Sequence, residues 1–278
     1  MNKTNKYLNK LMKEGYVIIN NFLSDNKCNF YINNIEKLLK TGKETDAKLR
    51  NGTKEGQVIL RDLVLRDPKT FLKIIDNKKI LELLTMIFKE TFILSNIMAS
   101  NSVNVGKKYS RDVHIDSHIA SWRRWIDTTD VVAMICLDKF TKFNGATKVW
   151  PKSHLYGIKI HHQKRYLKKH YKNFKYLEAN KGSLVIFLGQ MWHQVGYNSS
   201  SERRWAILNH YSRWWIKPAT DFTKCGKKIY KMLNNNQKRI FGFSSIAPKF
   251  NFKKQSKPLY TLRKIKNISK NYKQATNY

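Results

Sequence analysis

The sequence predicts an α+β protein with a mainly β core, helices packed outside it, and one domain spanning 1–278. Three observations predict it. Apolar residues recur at helical spacing over much of 1–91, and from residue 92 the texture changes to short apolar runs broken by turns. No stretch has the composition of a linker that would split off a second catalytic domain.

The segment YLNKLMKEGY sets Leu8, Leu11 and Met12 on one helical face, with Gly15 as the stop. YVIINNF (16–22) is a short strand. Ser24 and Asp25 offer an N-cap to a helix whose apolar side carries Phe30, Ile32, Ile35, Leu38 and Leu39. Residues 41–56 are polar and glycine-punctuated, which predicts a loop. Residues 69–90 read as helix again, carrying Phe71, Leu72, Ile75, Ile80, Leu83, Leu84 and Ile87. Beyond them FILSNIMASNSV, RDVHIDSH, VVAMICLD, ATKVW, SLVIFLG and RWAILNHY are strand-sized, as in a sandwich or barrel. The chain thus divides into a mostly helical part (1–91), a β core (92–216) and a basic C-terminal extension of helix and loop (217–278).

Hydrophobic residues make up 41% of the chain and aromatics 13%, a globular composition. No apolar run approaches the roughly 20 residues that span a bilayer, and the first residues lack a signal-type apolar stretch. A soluble cytoplasmic protein is expected. Cys28, Cys136 and Cys225 are far apart and odd in number, so neither a disulfide framework nor a thiolate zinc site is indicated. They read as reduced, buried, small apolar residues.

Fifty-four basic against 19 acidic residues give a formal net charge of +35. An anionic partner is one reading; a lysine-rich compositional bias is the other, since Lys and Asn abound together at plain surface positions. No recognised nucleic-acid-binding motif accompanies the charge, so nucleic acid is not favoured as a partner. Some of the charge is local. Segment 151–180 carries eight basic residues beside Glu178, and 217–278 carries sixteen beside Asp221. Both weakly favour an anionic or carrier-bound substrate.

His114-Ile115-Asp116 falls in a predicted strand. Side chains two apart on a strand project to the same face, so His114 and Asp116 reach one point together. Imidazole plus carboxylate suits Fe(II), and a third ligand from a distant strand would complete a facial triad with three open positions. His193 follows SLVIFLG through a turn and is a candidate for that ligand. Arg204, eleven residues on (204 − 193), could pair with the distal carboxylate of a dicarboxylic acid. Arg203 competes with it, but strand alternation sends the two to opposite faces.

These residues carry a family resemblance. The chain resembles phytanoyl-CoA dioxygenase-type enzymes in EGYVIINNFLSDNKCNFY, the HxD at 114–116, VVAMICLDKFTKFNGATKVWPKSH, KGSLVIFLGQMWHQVGYNSSSERRWAILNHYSRWWIKP and, weakly, NNNQKRIFGFSSIAP. The resemblance implies a double-stranded β-helix, a jelly-roll of cupin-like type. It also implies the cofactors Fe(II), 2-oxoglutarate and O₂, with release of succinate and CO₂. Carried across, His114, Asp116 and His193 bind iron and Arg204 binds 2-oxoglutarate; Asn198 also matches the pattern. Retention of Asp116 favours hydroxylation over halogenation. The family's usual proline-glycine-serine-histidine turn is Pro151-Lys152-Ser153-His154 here, which questions a left-handed backbone at residue 152. The family's usual glycine-aspartate is Gly182-Ser183.

His118, on the same predicted face as Asp116, reads as a pocket-wall residue. Trp122 and Arg123, with Arg124 and Trp125, border the expected pocket mouth and are candidate substrate contacts. His154 reads as structural, and His161, His162, His170 and His210 have no matching partners. Trp214 and Trp215 read as core or lid aromatics. No Walker loop, GxSxG or dinucleotide glycine motif appears. The rival readings are a basic nucleic-acid- or anion-binding protein on a catalytically silent barrel, and a metal-holding sensor without turnover.

Overall fold

The computed structural model describes residues 3–41, 56–104, 106, 112–117, 128–156 and 164–245. The predicted loop at 41–56 lies almost wholly outside them. Helix α1 (Lys3–Glu14) leads into β1 (Tyr16–Ile19), and α2 (Asp25–Thr41) follows. Gly15 makes the stop: its φ is +86°, and its N–H donates to the Leu11 carbonyl at 2.7 Å. On α2 the buried stripe is Cys28, Ile32 and Ile35, whereas Phe30 is 52% exposed, against the sequence expectation.

The stretch 69–90 is two helices rather than one, α4 (Pro68–Ile75) and α5 (Lys78–Phe88), preceded by β2 (Gln57–Arg61) and the short α3 (Leu63–Arg66). The break falls at Asp76-Asn77, where Asn77 Oδ1 accepts the Lys79 N–H at 3.1 Å as an N-cap.

Then come β3 (Phe92–Ser102), β4 (Asp130–Cys136), β5 (Lys148–Val149), α6 (Lys164–His170) and β6 (Lys175–Tyr176). They are followed by β7 (Leu184–Leu188), β8 (His193–Gln194), β9 (Ala206–Arg213), α7 (Gly226–Met232) and α8 (Asn235–Ile240). Six strands form one sheet, ordered β1-β7-β4-β9-β3-β2, and three form another, ordered β6-β5-β8. Every pairing is antiparallel.

The large sheet is apolar on both faces, which explains why its strands read as continuous hydrophobic runs. Val131, Ala133 and Ile135 of β4, with Leu184, Ile186 and Leu188 of β7, join the helices in one core. Their neighbours Val132, Met134 and Cys136, with Val185 and Phe187, join Val149 of the small sheet in a second. The metal-binding candidates lie on this second side, between the sheets. No helix among the described residues is long and apolar enough to cross a membrane.

Two local expectations need correction. Lys152 keeps the left-handed backbone that the missing glycine had questioned, with φ 67°. Trp215 is 51% exposed and donates to Glu90 at 3.3 Å, which removes the core from the two roles expected of it, core or lid. Cys28 and Cys136 are buried, while Cys225 is only partly so.

Candidate metal centre

His114 is not in a regular strand, contrary to the sequence expectation. It forms an isolated antiparallel bridge with His193. The two residues exchange both main-chain hydrogen bonds, each 3.0 Å, and their ring centroids stand 4.2 Å apart. Asp116 sits in a bend, its N–H held by the Gly189 carbonyl at 2.9 Å. That carbonyl also accepts the Ser117 N–H at 3.1 Å. Gly189 has to be glycine: a Cβ there would stand 2.7 Å from Asp130 Cβ. The Ser117 hydroxyl, 2.8 Å from Thr129 Oγ1, donates to Asp130 Oδ2 at 2.9 Å, anchoring the segment from the other side.

The side chains converge despite the irregular backbone. His114 Nε2 is 3.9 Å from Asp116 Oδ1, and His193 Nε2 is 3.5 Å from Asp116 Oδ2. One ligand atom from each residue lies within 4.8 Å of the other two. Bonds of about 2.1 Å at right angles would put neighbouring donors about 3 Å apart, so a bound ion would require the three donors to draw closer.

The ring tautomers are fixed by what Nδ1 meets. His114 Nδ1 is 2.9 Å from the Asp112 carbonyl, and His193 Nδ1 is 3.0 Å from the Met191 carbonyl. A carbonyl only accepts, so each Nδ1 carries a hydrogen; in the neutral ring Nε2 then presents a lone pair, the form that ligates a metal. Burial alone would raise the Asp116 pKa. When the imidazoles are protonated, His193, by charge and hydrogen bond, and then His210 and His114 outweigh it, holding the carboxyl below its usual range.

His210 is the residue sequence reasoning missed. Its Nδ1 is 4.0 Å from Asp116 Oδ2, and it lines the same cavity, of about 90 Å³, as the three candidate ligands and Arg204. Burial keeps its imidazole below the ordinary histidine value, against the pull of Asp116. A signal was present: Leu208 and His210 are two apart on β9, as residues on one face of a strand must be.

Arg204 lies two residues before β9 begins, not within it. It is 2% exposed, its guanidinium carbon sits 4.5 Å from the Phe140 ring centroid, and its Nε has no hydrogen-bond partner. Among the described residues no carboxylate comes within ion-pair distance of it. Burial brings its pKa down to about 10, with Cys136 and Asp138 opposing. Arg203 turns outward to Glu36 at 2.9 Å and Asp138 at 3.6 Å. Asn198 holds the loop before Arg204, donating to the carbonyls of Ser102 at 2.9 Å and Glu202 at 2.8 Å. His154 Nε2 bonds the Met12 carbonyl of α1 at 3.0 Å. His118, Trp122, Arg123, Arg124, Trp125, His161 and His162 lie outside the described residues.

A facial set of two imidazoles and a carboxylate, beside a buried guanidinium in a jelly-roll, has a counterpart among known proteins. The sequence profile of the phytanoyl-CoA dioxygenase (PhyH) family matches residues 11–206. The chain belongs to the phytanoyl-CoA dioxygenase family. That family is dependent on Fe(II), 2-oxoglutarate and O₂.

Dioxygenase af480 of Aspergillus fumigatus is 28% identical over 175 residues, covering 62% of this chain and 54% of its own. Dioxygenase andF of Emericella variicolor is 25% identical over 134 residues, 48% of this chain and 45% of its own. The match therefore spans about half the length of these curated relatives. Among solved structures, SnoN, a non-heme alpha ketoglutarate dependent epimerase from nogalamycin biosynthesis, aligns with TM-score 0.62 and 17% identity over 76% of this chain and 80% of its own. HygX from Streptomyces hygroscopicus, with nickel and 2-oxoglutarate bound, aligns with TM-score 0.63 and 10% identity over 78% and 89%. At such identities the likeness is one of fold, and the fold is that of the phytanoyl-CoA dioxygenase family.

Proposed function

We propose that this chain is an Fe(II)- and 2-oxoglutarate-dependent dioxygenase that hydroxylates an unactivated C–H bond of a small molecule. In this reading His114, Asp116 and His193 hold the iron, and Arg204 holds the far carboxylate of 2-oxoglutarate. One observation carries it: two imidazoles, each with Nδ1 committed to a carbonyl, turn Nε2 toward one carboxylate in a cavity shared with an unpaired buried guanidinium.

When bound, iron supplies O₂ activation, coupled to decarboxylation of 2-oxoglutarate to succinate and CO₂, with one oxygen atom delivered to the substrate carbon. The remaining tasks belong to side chains. Asp116 would supply one carboxylate oxygen and the imidazoles one nitrogen each, three donors that would leave three positions of a six-coordinate iron for co-substrate and O₂. Arg204 offers a planar fork suited to grip a carboxylate through two parallel hydrogen bonds, and the Phe140 ring lies against it, 4.5 Å from Cζ to the ring centroid. Met98, Met134, Phe187 and Leu208 line the cavity with apolar surface that keeps water from the reacting carbon. The basic segments favour a substrate that is anionic or carrier-bound.

The protein loaded anaerobically with Fe(II) and 2-oxoglutarate should show a weak visible charge-transfer band. In air, with candidate metabolites, it should release succinate and a product heavier by one oxygen atom. Asp116→Ala should lose the band. Arg204→Ala should need at least about tenfold more 2-oxoglutarate, since truncating one partner of a buried charge pair costs about 2–5 kcal/mol. A substrate converted without gaining oxygen would remove hydroxylation from the reading; a wild type with neither band nor succinate would sink it.

A further inference from the structure

His210 belongs to none of the roles above, yet it stands beside them. It lies on β9, whose residues at even steps face the cavity, and its Nδ1 is 4.0 Å from Asp116 Oδ2. Its other nitrogen, Nε2, is buried without a hydrogen-bond partner. The three candidate ligands bring their donor atoms within 4.8 Å of one another, and His210 is not part of that group. Its place therefore fits a neighbour of the ligands rather than a fourth ligand.

The carboxylate has two oxygens and a facial site uses one of them. Asp116 Oδ1 is the atom nearer His114, at 3.9 Å, while Oδ2 is shared between His193 at 3.5 Å and His210 at 4.0 Å. With a cation between the donors, the oxygen left over needs a hydrogen-bond donor, or the carboxylate swings to grip through both atoms and closes an open position. His114 and His193 cannot donate from Nε2, because their hydrogens sit on Nδ1 facing carbonyls. Among the described residues no hydrogen bond fixes the tautomer of His210, so its Nδ1 is able to carry a hydrogen toward Asp116.

We propose that His210 is a positioning residue: its Nδ1–H closes onto the non-ligating oxygen of Asp116 when the metal binds and holds that carboxylate in one-oxygen coordination. The inference rests on the iron-site reading given above. Its test uses Co(II) in place of iron, so that no turnover is needed.

Wild type, His114→Ala, His210→Gln and His210→Phe are titrated anaerobically with Co(II), reading the d–d absorption for affinity and coordination number and far-ultraviolet circular dichroism for folding. Wild type should bind one ion and His114→Ala none. His210→Phe should bind about 10- to 100-fold more weakly, as loss of such an outer partner generally does, with an altered spectrum. His210→Gln, which keeps an N–H donor, should recover most of the affinity. A folded His210→Phe with wild-type affinity and spectrum overturns the assignment while leaving the iron site standing; a wild type that binds no Co(II) overturns both. Should His210→Phe fail to fold, the Zn(II)-loaded wild type decides, by long-range ¹H–¹⁵N correlation of the histidine rings. An Nδ1–H tautomer at His210 is expected, and an Nε2–H tautomer refutes it.

Discussion

At the scale of single residues, Arg204 carries the sharpest consequence. A buried guanidinium without a counter-ion destabilises the protein that holds it, because its desolvation is not repaid by a partner. Arg204→Met, similar in length and uncharged, should therefore raise the stability of the ligand-free protein by about 1–4 kcal/mol. It should also abolish the thermal shift that 2-oxoglutarate gives to the wild type. Paired melts with and without 2-oxoglutarate check both halves, and a variant less stable than wild type would mean that the charge has another partner. The ligand candidates and this arginine were legible in the sequence as an ordered pattern, HxD, then His193, then eleven residues to Arg204. His210 matches no motif, and its even spacing from Leu208 along the predicted strand was the sole sign of it. Only the register of β9, fixed once Ala206 to Arg213 are known to be strand, turns it toward Asp116.

At the scale of elements, the junction of α1 with the 151–154 turn is the most exposed to a single change. Gly15 occupies a backbone region that L side chains rarely adopt, and a Cβ there would stand 2.6 Å from His154 Nδ1. Gly15→Ala should cost roughly 1–3 kcal/mol in denaturant unfolding while leaving Co(II) binding unchanged. His154 adds a pH dependence. Burial lowers its pKa, against the opposing Met12 hydrogen bond and Glu14. The unfolded chain, with a value near 6.5, then takes up the proton more readily than the folded one, so stability falls as pH drops below about 6.5. His154→Gln keeps a donor for Met12 and should flatten that part of the profile; identical slopes in both proteins would remove His154 as the cause. Strands were readable where an apolar run of strand length stood unbroken, as in 131–136 and 184–188. The HxD segment was misread as strand because two residues of bridge carry no period, and 69–90 was fused because its apolar spacing continues across Asp76-Asn77.

At the scale of the whole molecule, the described residues after β9, up to residue 245, contribute to the core. Phe222, Tyr230, Leu233, Ile240, Phe241 and Phe243 are all buried in the cluster that joins the helices to the large sheet. Each is worth about 1.5–3 kcal/mol of burial, and together they rival the entire net stability of a typical domain, about 5–15 kcal/mol. A chain ending at Ile216 should not fold cooperatively, as shown by a broad or absent thermal transition. A sharp transition would mean that the core closes without them. Their apolar character was visible in the sequence, yet sixteen basic residues across 217–278 drew attention to charge instead. Net charge describes how the surface meets its surroundings, and says little about which side chains the fold encloses.

The carbonyls that hold the two imidazoles also govern the thermodynamics of metal uptake. With each Nδ1–H committed to a carbonyl and the carboxyl already ionised, loading a divalent ion well above the ordinary histidine value of about 6.5 should expel almost no hydrogen ions. Calorimetric heats of Co(II) binding should then agree between buffers of very different ionisation enthalpy; heats that track the buffer would reveal donors still holding a proton to give up.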